Sequence, residues 1–296
     1  MSAPHNPLAA WRVEEAFTFI GFGEAGAAFA RPGATAYDRK TDSADTRAAK
    51  LADYAAADVT GADTAAKALA DAKVVLSLVT ADQALPAAEA CAASLTAGAL
   101  FLDMNSVAPA TKRAAAKAIG AGYVDVAIMS PVLPARHAVP LLVAGERAEE
   151  AEAQLRAYGF ADVRVVGPNV GDASAIKMIR SVMVKGMEAL TAECLLAAHR
   201  AGVTDAVLAS LDASREQPDW TARADYNLDR MLVHGLRRAA EMEEVARTLE
   251  DLGVEPALTR GTIVRQRELG SHGLRPVTGL AGKLNQIDPA RAEKAA

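Results

Sequence analysis

A chain of 296 residues is long enough to build two packed cores. Hydrophobic residues make up 51%, much of it Ala, and aromatic residues only 4%, which favours closely packed helices. A net charge of −5 leaves no broad basic face for a polyanion, so nucleic acid is excluded as an expected partner.

The N-terminal MSAPHNPLAAWRVEEA lacks a basic-then-apolar signal pattern, and no apolar run reaches about 18 residues. No membrane span is expected, and a cytoplasmic protein is the default. AFTFIG then reads as a strand, EAGAAFAR as a short helix, ATAYD and KVVLSLVT as strands and ADQALPAAEACAASL as a helix. ALFLDM reads as a strand, APATKRAAAKAIGA as a helix, GYVDVAIM and PLLVAG as strands, ERAEEAEAQLRAYG as a helix and DVRVVG as a strand. Alternating strands and helices imply an α/β domain with a mostly parallel sheet covered on both faces. After Gly167-Pro168 the strand signal ends, which places a domain boundary near Val166–Asp172: an α/β domain over 1–168 and an all-α domain over 169–296. SAIKMIRSVMVKGMEALTAECLLAAHRAG reads as one long helix, LASLDASREQPDWTARADYNL as shorter pieces, and NLDRMLVHGLRRAAEMEEVARTLEDLG as a second long helix stopped by Gly253 with Pro256 beyond. The tail NQIDPARAEKAA is polar and expected to fray. Cys91 and Cys194 lie in helix-like contexts outside any metal-ligand spacing; both read as small buried hydrophobes, and no metal site is expected.

The strand FTFI runs into Gly21-Phe22-Gly23-Glu24-Ala25-Gly26, a G-x-G-x-x-G that opens a helix and leads to a strand ending at Asp38. Gly21 permits the tight turn, Gly23 admits a pyrophosphate close to the backbone, and Gly26 lets the helix pack on the strand. In this context the motif points to a Rossmann dinucleotide site. Asp38 is placed to hold the adenine ribose hydroxyls, which favours NAD; Arg39-Lys40 is either an exposed basic turn or a grip for the 2′-phosphate of NADP. Glu24 is expected to point outward at the helix start, where the macrodipole favours a carboxylate. Val79 and Thr80, at the end of the strand KVVLSLVT, and Asn105 complete the expected cofactor-binding set.

These residues resemble the β-hydroxyacid dehydrogenases, relatives of 6-phosphogluconate dehydrogenase, and in particular a bacterial branch with a poorly characterised C-terminal domain. Besides GFGEAG, Asp103-Met104-Asn105-Ser106-Val107-Ala108-Pro109 is similar to the family's Asp-x-Ser-Ser/Thr-x-x-Pro, with Asn105 in place of the first hydroxyl residue. Asp125 to Pro131 corresponds to a segment ending Ser-Gly-Gly that binds the substrate carboxylate; here the last three residues are Met129-Ser130-Pro131, and Pro131 has no N–H to donate. The Ala127-Ile128-Met129 tripeptide is similar to imine reductases of the same superfamily. Gly171 to Ser181 resembles the segment carrying the catalytic lysine, which falls on Lys177, with Ser181 where the family has Asn. Imine reductases typically lack this lysine. The resemblance implies an NAD(P)-dependent enzyme acting on a small hydroxyacid or related alcohol or carbonyl, and a homodimer through the C-terminal helices.

Hydride removal from a hydroxyl carbon needs a base for the hydroxyl proton, and the reverse needs an acid. Lys177 suits both if burial and the neighbouring Arg180 bring its pKa down toward neutrality. Lys177, Ser181, Val184 and Glu188 share one helix face, with Ile176, Ile179, Met183, Met187 and Leu190 beside or opposite it. Asn105, Ser106, Met129, Ser130, Arg180 and Ser181 are the expected substrate contacts. On the second long helix Arg238 falls on the apolar stripe Met231, Gly235, Met242, Val245, Leu249, Leu252, flanked by His234 and Glu241. A charge there needs a partner: either Arg238 pairs with Glu241, or His234 or Arg238 reaches the active site, where the family carries a second lysine. Two other readings stay open: a reductase of imines or ketones on the same scaffold, and a non-catalytic dinucleotide-binding protein.

Overall fold

The computed structural model describes residues 17–213, 219–251 and 255–289. The readings made for the N-terminal segment, for Leu252 and Gly253, and for the last residues of the tail fall outside these, as does the side chain of Cys194.

The chain divides after Lys177 into two compact units. The first alternates β1 (Phe17–Ile20), α1 (Glu24–Phe29), β2 (Thr35–Tyr37), α2 (Ala44–Ala56), β3 (Thr60–Gly61), α3 (Ala65–Leu69), β4 (Val74–Ser77), α4 (Ala84–Ala92), β5 (Leu100–Asp103), α5 (Pro109–Ile119), β6 (Tyr123–Ile128), β7 (Leu141–Ala144), α6 (Ala148–Tyr158) and β8 (Val163–Gly167). Among the described residues these strands form one sheet in the order β3-β2-β1-β4-β5-β6-β7-β8. All pairs are parallel except β6 with β7. This is the Rossmann-type arrangement expected from the alternation, and an all-helical region follows it. The strands are short apolar runs because both faces are covered. Their side chains alternate between two cores: Phe17, Phe19, Val74, Leu76, Leu100 and Leu102 enter one, and Ile20, Val75, Phe101 and Tyr123 the other. The two-residue β3 carries too little apolar signal to be read from sequence.

The second unit starts inside α7 (Asp172–Ala201) and continues through α8 (Thr204–Ala213), α9 (Trp220–Asp251), α10 (Ala257–Ser271) and α11 (Leu280–Ile287). The division falls inside α7, whose first turn packs with the sheet: Ala173 joins the cluster of Ala127, Leu142 and Ala144. In this unit Met231, Arg238, Met242 and Val245 are buried, as the stripe on α9 required. α9 begins at Trp220, seven residues before the expected Asn227; Ala222, Arg223 and Ala224 are strong helix formers. α10 crosses α9 backbone to backbone at Gly235 and Gly270: a Cβ on Gly235 would lie 2.2 Å from the Gln266 carbonyl oxygen. No helix among the described residues is long and apolar enough to cross a membrane. Cys91 is a free, buried thiol, pushed up to about 12 by burial, so the expectation of an inert small hydrophobe holds for it.

Candidate active site

β1 lies beside β4 at the point where strand order reverses, the place outside the carboxyl ends of the strands where open α/β sheets commonly bind ligands. The Gly-rich turn sits at this place. Gly21 has φ +88°, and a Cβ on it would lie 2.4 Å from the Leu78 carbonyl oxygen, so only glycine fits. Gly23 is exposed, with nothing within 4 Å of the position a Cβ would take, and it precedes α1 without a side-chain cap. That open cradle before a helix start fits a pyrophosphate. The Phe22 ring turns into the core, while its N–H donates to Asp38 Oδ2 at 2.8 Å and its carbonyl accepts from the buried Lys50 Nζ at 2.6 Å. Gly26 is buried at the helix–strand contact, Ala25 is half-buried and Glu24 is exposed, as anticipated.

Asp38 has a second task, accepting the Lys40 N–H on Oδ1 at 2.9 Å. Both carboxylate oxygens are thereby fixed at the end of β2. Arg39 is exposed and donates from Nη1 to Gln83 Oε1 at 2.5 Å. Neighbouring Tyr37 is pushed up to about 12 by burial and by Asp42.

At the next strand ends, Asn105 joins β4 to β5. Its Oδ1 accepts the Val79 N–H at 2.7 Å, its Nδ2 donates to Ser77 Oγ at 3.0 Å, and its own N–H donates to Asp103 Oδ1 at 2.9 Å. Asn105 is buried, so its amide shapes the loops on which Val79 and Ser106 sit. Thr80 is exposed next to Val79. Lys177, half-buried in the second turn of α7, donates from Nζ to Ser106 Oγ. The amine therefore stands over the loop after β5, at the same carboxyl edge as the Gly-rich turn. Met129 and Ser130 follow β6 at that edge; Met129 packs against the cluster that contains Ala173.

Arg180, Ser181, His234 and Arg238 belong to the second unit. Arg180 is exposed, Ser181 buried and His234 half-buried. The expected Arg238–Glu241 pairing needs correction: buried Arg238 donates to Glu188 Oε1, and Glu188 Oε2 accepts from Gln266 Nε2 at 3.0 Å. Glu241 is held instead by Lys185, at 2.9 Å, and by Arg237. Burial lowers the Arg238 pKa and the Glu188 carboxylate opposes that shift. Helical spacing along α9 suggested Glu241; the partner actually comes from α7, which no spacing within α9 encodes.

Sequence reasoning also missed a buried ionic cluster beneath the site. Asp103, Lys112 and Asp125 are all at 0% exposure. Lys112 Nζ reaches Asp103 Oδ1 at 3.0 Å and Asp125 Oδ1 at 3.3 Å. The Tyr123 hydroxyl donates to Asp103 Oδ2 at 2.7 Å, and burial, then the two carboxylates, raise the Tyr123 pKa. The signal was available: Pro109, Lys112 and Ala115 share the buried stripe of α5, and each aspartate interrupts an apolar strand.

A family model described as the NAD binding domain of 6-phosphogluconate dehydrogenase matches residues 16–167. The chain belongs to the 6-phosphogluconate dehydrogenase family of NAD-binding proteins. A second model, a domain of unknown function (DUF1932), matches 198–269. Within the family, the chain is similar to a conserved hypothetical protein from Sinorhizobium meliloti 1021, at 37% identity over 96% of this chain and 99% of that one, with a TM-score of 0.70. It is similar to the conserved protein MTH1747, of unknown function and described as structurally similar to 3-hydroxyacid dehydrogenases, at 31% identity over 86% and 97% of the two chains and a TM-score of 0.66. The fold alone is shared with Mycobacterium tuberculosis 3-hydroxyisobutyrate dehydrogenase with L-serine, at 16% identity over 93% and 99% of the chains and a TM-score of 0.69. The chain spans 63% of the length of an uncharacterized 28.5 kDa protein of Methanothermus fervidus, at 26% identity over 164 residues, or 55% of this chain. Membership in this family identifies the first unit as a nicotinamide-dinucleotide-binding domain.

Proposed function

We propose that the protein transfers a hydride between a nicotinamide dinucleotide and a small hydroxyacid or related alcohol or carbonyl compound, with Lys177 as the acid/base. The observation that carries this reading is the Lys177 Nζ hydrogen bond to Ser106 Oγ at the carboxyl edge of the sheet. The open cradle at Gly21 to Gly26 fits the dinucleotide, which when bound supplies the hydride acceptor or donor. A neutral amine that donates to Ser106 keeps its lone pair for a substrate hydroxyl. As the carbon gives up its hydride, Nζ takes the hydroxyl proton and a carbonyl is left; in reverse, the ammonium returns that proton to the carbonyl oxygen. The test is turnover, followed as reduced cofactor, on 3-hydroxyisobutyrate, 3-hydroxypropionate and L-serine. Turnover of cyclic imines with none on these acids would select the second reading, an imine or ketone reductase, which Pro131 favours by removing a backbone donor for a carboxylate.

Of the two cofactors, NAD is favoured, because the Asp38 carboxylate is fixed by two backbone donors where a 2′-phosphate would meet it. Replacing it, Asp38→Ser, is expected to shift the ratio of kcat/KM for NAD over NADP by about 10-fold or more toward NADP, since Arg39 then faces the phosphate unopposed. An unchanged ratio in steady-state assays would remove Asp38 from cofactor selection.

We also infer a homodimer. Ile179, Met183 and Leu190 on α7 are exposed large apolar side chains, at offsets of four and eleven. Gly186 falls in the same seam and leaves open space where a Cβ would stand, which suits a second helix at close range. A second copy of this chain presents a matching seam. Met183→Glu is expected to convert the dimer to monomer in light scattering; a dimer of undiminished affinity would move the interface elsewhere.

A further inference from the structure

We infer that Asp125 is a positioning residue: from within β6 it caps the helix that carries Lys177 and so holds the amine on Ser106. This inference rests on the reading of Lys177 as the acid/base. A helix start leaves N–H groups without partners, commonly satisfied by the side chains of the residue before the helix and the third residue within it. Neither side chain does so in α7. The preceding residue is Gly171, which has no side chain, and the Ser174 hydroxyl donates to the Gly171 carbonyl at 3.1 Å. Asp172 is engaged with Asn169, whose N–H reaches its Oδ2 at 3.2 Å. The cap comes instead from the sheet: Asp125 Oδ2 accepts the N–H of Gly171 at 3.1 Å and that of Ser174 at 3.0 Å. Ser174 lies three residues, less than one turn, before Lys177. The carboxylate thus fixes the height and rotation of the turn that presents the amine.

The other oxygen of Asp125 connects to the other half of the site. Oδ1 has no hydrogen-bond partner apart from its ion pair with Lys112 at 3.3 Å. Lys112 Nζ also bonds Asp103 Oδ1, the oxygen that accepts the Asn105 N–H next to Ser106. The path from Ser106 through Asp103, Lys112 and Asp125 to α7 and Lys177 closes on itself at the Lys177–Ser106 hydrogen bond. Three charges at zero exposure are a poor way to gain stability, since apolar residues of similar volume commonly serve as well. What they supply is a fixed separation between the loop and the helix.

The test compares full-length wild type with Asp125→Ala and Asp125→Asn, the latter keeping an acceptor for the same amides. Readouts are hydrogen exchange of amides 171–178, dinucleotide affinity, and kcat and KM on whichever of the three hydroxyacids the wild type turns over fastest. In Asp125→Ala, exchange is expected to rise and kcat to fall by about 100-fold, with KM and dinucleotide affinity within about 3-fold, as for a misplaced catalytic group. Asp125→Asn recovers part of both, leaving kcat about 10-fold below wild type. A folded Asp125→Ala with wild-type exchange in α7, or with kcat within about 3-fold of wild type, overturns the inference. If the alanine variant does not fold, Asp125→Asn decides by the same two readings, with about a 10-fold loss expected. Should none of the acids be turned over, the Lys177 reading fails by itself, and the exchange data still judge the cap.

Discussion

Lys177→Ala is expected to lower kcat by about 10³-fold, within the range for loss of a positioned general acid or base, while dinucleotide affinity stays within about 2-fold. The separation follows from the geometry. The amine contacts Ser106, after β5, whereas the cradle is formed by the turn after β1 and by Asp38. A loss of that size corresponds to about 4 kcal/mol of transition-state stabilisation. Lys177→Arg keeps a donor for Ser106 but is always charged and cannot give up its proton near neutral pH, so it should be nearly as inactive as the alanine variant. Steady-state rates with cofactor titration by fluorescence separate the two effects. A Lys177→Ala enzyme that loses dinucleotide binding in parallel with turnover would make the residue a cofactor ligand instead.

Lys112→Met is expected to destabilise the first unit by about 3–5 kcal/mol, the cost of breaking a buried ion pair from one side. The methionine fills the lysine stem, so little volume is lost. What remains is two carboxylates, Asp103 and Asp125, at zero exposure with no cation between them. The ammonium also hydrogen-bonds the Asp103 carbonyl, and that acceptor loses its donor. Urea unfolding, followed by a probe in the first unit, measures the change; a midpoint shift worth less than about 1 kcal/mol would show that water replaces the ammonium. The triple replacement Lys112→Met, Asp103→Asn, Asp125→Asn should regain much of the stability while leaving kcat low, since it removes the charges and the geometry together.

The parts of this molecule that were legible in its sequence are those written in local pattern. Phe17–Ile20 followed by three spaced glycines and then by Asp38 announces a strand, a tight glycine turn into a helix and a second strand ending at Asp38, because each step is written in local pattern. The strands from Val74 to Gly167 were readable as apolar runs between turn residues. Lys177 was legible only through its resemblance to a family segment, since a lysine on a helix is ordinarily solvated. What escaped was long-range: the pairing of Arg238 with Glu188, fifty residues away, and the convergence of Lys112 of α5 with Asp103 of β5 and Asp125 of β6. Neither pairing has a period: one depends on how two helices pack, the other on how a helix packs on the sheet. The apolar residues of α7 carried a further lesson. Met183 is 64% exposed while Ser181, Lys185 and Glu188 are buried, so hydrophobicity alone would have turned this helix the wrong way.

The decisive measurement is a crystal structure of the protein with NAD and the fastest hydroxyacid substrate bound together. Lys177 Nζ and Ser106 Oγ are expected within about 3 Å of the substrate hydroxyl oxygen, the distance proton transfer requires, with the carbinol carbon facing the nicotinamide ring. A substrate seated away from Ser106, or a Lys177 amine directed at the pyrophosphate, would contradict the assignment of Lys177 as the group that moves the proton.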